Sequence, residues 1–255
     1  MIKHLLTILI FAFFSVDSLS QKKYSTEDLS NMVICIGDKV GDRISWVGTA
    51  TIINDSTKFF LLTASHVSDS LKGECILIFR GDNDKPVFVP LERFTGRIIN
   101  KWTNHKEADI SVVQVLPFDK GSEDRLKQWS FPLKHVLKEK VAIPREMTVI
   151  AMGYPILDEV GQHFSPLTFN SFFSSGLLTL RRGDTRTQAV FQLLENPSVQ
   201  GYSGGPVFIG IEKAGVTVGW NQTTIVGIVH GTFRDNTGGK LAMITPAYYI
   251  HEIVK

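Results

Sequence analysis

The chain has 255 residues, 43% of them hydrophobic, and its 27 Lys and Arg against 25 Asp and Glu leave a formal net charge of +2. That balance argues against a nucleic-acid or acidic-membrane partner drawn by bulk electrostatics, while 17 Phe supply material for a substantial core. The seven histidines are scattered and no His-Glu-x-x-His occurs, so neither metal nor cofactor is expected.

Residues 1–20 begin with Lys3, run apolar from Leu5 to Val16 and end on small residues Ser18 and Ser20 before Gln21. This pattern predicts a cleavable signal peptide, and therefore a secreted or periplasmic protein. The alternative, an uncleaved anchor, is disfavoured because the apolar stretch falls short of the roughly 20 residues that span a bilayer. The first cysteine is Cys35, which speaks against a lipoprotein anchor. Lys3 and Asp17 leave together, so the mature net charge is unchanged.

Gln21 to Asn31 reads as a short helix or loop. Short β-rich runs follow at Met32–Ile36, Ile44–Ile53, Lys58–Thr63, Cys75–Phe79, Val87–Val89, Gly96–Ile99 and Ile110–Leu116. Pro117 to Pro144 is charged and poor in strand signals and reads as a crossing. A second series comprises Met147–Pro155, Ser171–Leu180, Gln188–Leu194, Val207–Ile211, Thr224–Val229 and Leu241–Ile244. Thr245-Pro246 then opens a final helix that extends toward Lys255. Strands this short at such spacing predict an all-β antiparallel sandwich or barrel.

Three stretches carry chemistry. Gly201-Tyr202-Ser203-Gly204-Gly205-Pro206 sets one hydroxyl among turn-forming residues, and a serine nucleophile needs a base, a carboxylate to orient that base and donors for the oxyanion. Thr63-Ala64-Ser65-His66 ends an apolar run with a candidate base, and Ala108-Asp109-Ile110 opens another with a candidate carboxylate. His105, in a polar segment, is read as surface. Asp69 and Asp119 open no apolar run and are set aside.

The order His66, Asp109, Ser203, at intervals of 43 and 94 residues, resembles that of the trypsin/chymotrypsin-like serine peptidases, and in particular the bacterial HtrA-type protease domain without a PDZ domain. The resemblance implies two antiparallel six-stranded β-barrels packed with a catalytic cleft between them and a short C-terminal helix. The implied divisions are 31–122 for the first barrel with His66 and Asp109, 123–144 for the linker, and 145–255 for the second barrel with Ser203. It also implies an exported endopeptidase acting on peptide or protein substrates through an acyl-enzyme, with the amides of Gly201 and Ser203 as oxyanion hole. Tyr202 stands where zymogen-activated members carry an aspartate, so activation by a freed N-terminal amine is not expected.

By the same resemblance Pro197, Val229, His230, Gly231 and Thr232 outline the primary pocket. Pro197 occupies the position of the acid that selects Arg or Lys, so cleavage after small or medium apolar residues is expected. Glu195 is the nearest acid. His230 replaces a usual serine, and three roles stay open: orienting Asp109, narrowing the pocket, or filling the core. Cys35 and Cys75 fall on strands that the family places side by side, which leaves a disulfide and two free thiols equally open. Asn54-Asp55-Ser56 and Asn221-Gln222-Thr223 are glycosylation sequons that matter only in a eukaryotic secretory pathway.

Two rivals remain. The Gly-x-Ser-x-Gly match also fits an α/β-hydrolase elbow, but that needs a helix after the serine and a downstream acid and histidine within the last 52 residues. The other is a catalytically silent trypsin-like fold acting as a binding module.

Overall fold

The computed structural model describes residues 23–95, 102–155, 164–213, 216–217 and 222–254. The expected signal peptide, the strand expected at Gly96–Ile99, Asn221 and Lys255 lie outside the described residues.

The first sheet is built from β1 (Val33–Val40), β2 (Arg43–Asn54), β3 (Phe59–Thr63), β4 (Glu74–Arg80), β5 (Pro86–Pro90), β6 (Thr103–Asn104), β7 (Ser111–Val115) and β8 (Ser130–Pro132). Its order is β5-β4-β1-β2-β3-β7-β6, antiparallel throughout, with β8 added parallel to β2. Short helices α1 (Thr26–Ser30), α2 (Ser65–Asp69) and α3 (Leu91–Thr95) join or flank these strands. The charged stretch after Pro117 forms α4 (Lys120–Trp129), capped by Asp119, whose side chain accepts from the Ser122 amide. Leu126 and Trp129 of α4 pack into the first core, so one apolar stripe on a charged helix serves this sheet before the chain crosses over.

The second sheet contains β9 (Thr148–Gly153), β10 (Leu167–Phe172), β11 (Leu178–Arg181), β12 (Gln188–Leu194) and β13 (Pro206–Ile209), with β14 (Glu212–Lys213) and β15 (Val216–Thr217) forming a separate ribbon. β16 (Thr224–Arg234) and β17 (Lys240–Pro246) complete the order β10-β9-β13-β16-β17-β12-β11. Consecutive strands β10 and β11 stand at its opposite ends. Seven flat strands spaced at about 4.8 Å would hold those ends about 29 Å apart. The link from Phe172 to Leu178 reaches at most about 21 Å, so the sheet must curl back on itself. Pro246 precedes a 3₁₀ turn (Ala247–Tyr249) that runs into the terminal helix α5 (Ile250–Ile253).

The all-β, two-sheet, mainly antiparallel expectation with a short terminal helix therefore holds. The sheets carry eight and seven strands rather than six each, because the short β6 and β8 pair onto the first sheet and the run expected at Ser171–Leu180 splits. It splits where Phe173 bridges to Leu194 and the Ser174 amide donates to Leu193 O, turning the chain between β10 and β11.

The strands beside the future site are buried on both faces. In β9, Val149 and Ala151 join the second core while Ile150 and Met152 join the first; in β13, Val207 and Ile209 face one way and Phe208 the other. Period-two alternation thus joins two apolar interiors through one strand, which is why these segments read as unbroken hydrophobic runs.

Cys35 and Cys75 correct the open disulfide: both are free thiols. β1 and β4 do pair, but Cys35 opposes Ile78 and Cys75 opposes Asp38. The offset of three residues is about 10 Å along the strand and sends the side chains to opposite faces. Burial pushes the Cys75 thiol up to about 12.

Candidate active site

β3 delivers His66. The strand ends at Thr63, Ala64 is the N-cap of α2, and His66 lies in the first turn with its amide free of any helical acceptor. Asp109 fills that need. It sits in the tight turn before β7, where Ile110 N–H donates to Ala108 O at 2.9 Å, and is fully buried. Its Oδ1 accepts from His66 N–H at 3.0 Å, Ser65 Oγ at 2.6 Å and Arg182 Nη2 at 3.1 Å. Its Oδ2 accepts from His66 Nδ1 at 2.6 Å and His230 Nδ1 at 2.5 Å.

These contacts settle the imidazole tautomers. Because both Nδ1 atoms face an ionised carboxylate oxygen, both donate, and in the neutral ring His66 Nε2 is the nitrogen left with a lone pair. Burial works against ionising Asp109, yet the hydrogen bonds from His230 and His66 outweigh it and hold the carboxyl far below its ordinary range. Burial likewise opposes the His66 imidazolium, and the contact with Asp109 reverses that, raising its pKa. His66, Asp109 and His230 are also close enough to invite comparison with a metal centre. Tetrahedral zinc would hold a ligand nitrogen and oxygen about 3.3 Å apart, so separations of 2.5 and 2.6 Å fit hydrogen bonds instead.

His230 reaches Asp109 because of a bulge. Val229 pairs with Ile244 and Gly231 with Met243, leaving His230 as the extra residue of β16. A bulge re-aims a side chain, and this one turns the imidazole to the carboxylate, where it packs edge-on against His66 with centroids 5.5 Å apart. Of its three open roles, orientation of Asp109 is the one its contacts match.

The serine loop is held from the other sheet. Thr49 of β2 donates its amide to Ser203 O at 2.9 Å and its hydroxyl to Gly201 O at 2.7 Å, while that hydroxyl accepts from Tyr154 N–H at 2.9 Å. Gly204 has φ +84°, and a Cβ there would lie 2.2 Å from both Thr49 O and Thr63 Oγ1, so only glycine fits. Its amide donates to Val229 O at 2.8 Å. Tyr202 is buried against Phe169 in the second core.

Among the described residues the amides of Gly201 and Ser203 donate to no protein acceptor. Ser203 Oγ, half-buried, donates to His230 O at 3.1 Å, and no hydrogen bond joins it to His66.

The expected pocket residues separate. Val229 does not line a pocket: its side chain is wholly buried in the second core and its backbone clamps Gly204 and Gly205. Thr232 is exposed and shares a 2.7 Å hydrogen bond with Ser198, tying β16 to the loop that carries exposed Pro197. Gly231 lies half-buried between them and His230.

Sequence reading missed Ser65, Arg182 and Thr49, whose partners lie 44, 73 and more than 150 positions away. It also misplaced His105, whose side chain is 7% exposed. Its Nδ1 accepts from the amides of Glu107 and Ala108, and its Nε2 meets Glu252 of α5 at 2.9 Å. It therefore fastens the turn that carries Asp109 to the terminal helix, a role that its polar neighbours disguised.

The solved structures supply the comparison. An HtrA-type protease, AlgW with a bound tripeptide, matches at TM-score 0.52 and 16% identity over 88% of this chain and 59% of its own. The chain has a trypsin-like serine protease fold. A serine endoprotease from Yersinia pestis matches at TM-score 0.53 and 13% identity, over 91% and 66% of the two chains. A thermostable serine protease, AL20, from an extremophilic microorganism matches at TM-score 0.53 and 13% identity, over 88% and 95%. The chain thus spans about three-fifths to two-thirds of the first two trypsin-like proteases and nearly all of the third. No family model matches the chain. No curated protein matches it either. Within this trypsin-like frame no helix of the described residues is long and apolar enough to cross a membrane.

Proposed function

We propose that this chain is an exported serine endopeptidase in which His66, Asp109 and Ser203 act as a triad. The observation that carries the reading is the His66 tautomer: Asp109 holds Nδ1–H at 2.6 Å and leaves Nε2 unprotonated as the group that takes the Ser203 proton. In the reaction Ser203 Oγ turns from His230 O toward His66, attacks the scissile carbonyl and gives up its proton. The free amides of Gly201 and Ser203 receive the oxyanion, and His66 returns the proton to the leaving amine. Water then repeats the cycle on the acyl-enzyme.

Export rests on residues 1–20. With Tyr202 in an apolar interior, no carboxylate beside the nucleophile waits for a freed N-terminal amine, which supports activity without that activation step. No acid stands among Pro197, Gly231 and Thr232, in keeping with small or medium apolar substrate side chains.

The silent binding module draws on one observation, the Ser203 hydroxyl engaged with His230 O instead of His66. A fluorophosphonate probe separates the readings. Labelling of the wild type and not of Ser203→Ala is expected; labelling of both, or of neither, overturns the nucleophile.

A further inference from the structure

A fully buried carboxylate persists as a charge only where donors and opposite charge surround it. At Asp109 the two histidines and Ser65 supply donors, while among the described residues the permanent cation in contact with it is Arg182. Arg182 follows β11 of the second sheet, its side chain is 5% exposed, and its side-chain hydrogen bonds serve two purposes. Its Nε and Nη2 fork the Asp184 carboxylate at 3.0 and 2.5 Å, which fixes the plane of the guanidinium. Its other edge then crosses to the first sheet. Nη1 donates to Glu107 O at 3.1 Å, and Nη2 to Ser65 Oγ at 2.9 Å and Asp109 Oδ1 at 3.1 Å. Arg182 therefore grips both the main chain of the turn that carries Asp109 and the carboxylate itself.

We propose that Arg182, presented by Asp184, is a positioning residue that lets the second barrel set the orientation of Asp109 and, through it, of His66. The inference rests on the triad reading above. It means that the base is aligned only when the barrels dock in the register that also brings Ser203 into the cleft. Thr49 runs the same coupling in reverse, holding the serine loop from the first sheet. A neutral residue at 182 would leave two carboxylates, Asp109 and Asp184, facing each other with no cation between. The charged and titratable groups that face His66 are Asp109, Asp184, Arg182 and His230. Arg182 disfavours the imidazolium, so its loss lets His66 hold a proton to higher pH.

The test compares Arg182→Gln, Arg182→Lys and Arg182→Gln/Asp184→Asn in the purified full chain. Arg182→Gln is expected to lower kcat by about 10²-fold, the scale of a small misplacement of a catalytic group, with KM unchanged. The acid limb of its pH profile moves upward, and the low-field proton resonance of His66 Nδ1–H, assigned by its absence in His66→Ala, shifts or broadens. Arg182→Lys recovers part of kcat. The double variant, which removes the like-charge pair, recovers melting temperature but not kcat. A folded Arg182→Gln with wild-type kcat, acid limb and proton resonance overturns the proposal. So does a double variant that restores kcat together with stability. If the wild type cleaves no substrate, the triad reading fails separately, and the resonance decides alone: movement in Arg182→Gln supports the positioning role and persistence overturns it.

Discussion

The two halves of the site are built to different standards of rigidity. On the first sheet, every lone pair of Asp109 that geometry allows is engaged, by donors from Ser65, His66, Arg182 and His230. On the second, Ser203 Oγ makes a single hydrogen bond to a backbone carbonyl, and the amides of Gly201 and Ser203 make none within the described chain. The contrast follows from what each half holds. A buried charge must be surrounded before the protein folds stably, whereas a neutral hydroxyl and amides at a cleft can exchange their partners with water at little cost. The Asp109 half is a structural element as well as the acid–base half of the proposed triad; the proposed nucleophile half is only positioned.

Five experiments break or sharpen that contrast. Ser203→Ala is expected to lower kcat by about 10⁶-fold, as loss of a serine nucleophile does elsewhere. Its unfolding free energy should change by no more than about 1 kcal/mol, the worth of one hydrogen bond, as read from urea melts. Asp109→Asn is expected to lower kcat by about 10⁴-fold and also to cost stability, about 1–3 kcal/mol, because a neutral amide cannot accept from all the buried donors of Ser65, His66 and His230, although Arg182 keeps Asp184. If the two substitutions prove equally benign to stability, the proposed asymmetry is wrong.

Thr49→Val removes the hydroxyl that binds Gly201 O and receives the Tyr154 amide. A loss of about 1–3 kcal/mol is expected, with kcat falling more than affinity if the serine loop loosens; calorimetry and steady-state kinetics together check this. The pH profile comes next. The raised pKa of His66 means that the imidazole stays protonated, and inactive as a base, to a higher pH than an ordinary histidine. The midpoint of the acid limb of kcat/KM should therefore lie above the ordinary histidine value of about 6.5 and fall to or below it in Asp109→Asn, where burial and Arg182, which both disfavour the imidazolium, lose the anion that outweighed them. The smallest effect is the last: because Cys35 and Cys75 face opposite ways, a reducing agent should leave the melting temperature unchanged. A fall on reduction would mean that a disulfide had formed.

Much of this was legible in the sequence. The run Gln188–Leu194 became a strand of those bounds and Lys58–Thr63 one that starts a residue later, at Phe59, and His66, Asp109 and Ser203 were singled out by turn chemistry and the apolar runs beside them. Other features left no local mark. His105 sits among Thr103, Asn104, Lys106 and Glu107, yet its ring is buried because α5, nearly 150 residues on, covers it. Val229 looked like a pocket wall and is core, since the bulge after it exchanges which residue faces the cleft. Cys35 and Cys75 lie on paired strands, as expected, and still do not meet. Pairing is encoded in hydrophobic pattern, whereas a three-residue offset between strands is decided by how the whole sheet registers.

What the sequence determined by itself is local: which segments extend, where glycine permits a turn that a Cβ would block, and which residue types are chemically fit to act as base, carboxylate and nucleophile. Only the tertiary structure decided which groups share the carboxylate of Asp109, that an arginine from the opposite sheet is one of them, and that a threonine on β2 holds the serine loop. The reason is physical. A backbone preference is set by neighbours in the chain, but the field at a buried charge is set by whatever packing brings within a few ångströms, and that packing is a property of the two barrels together.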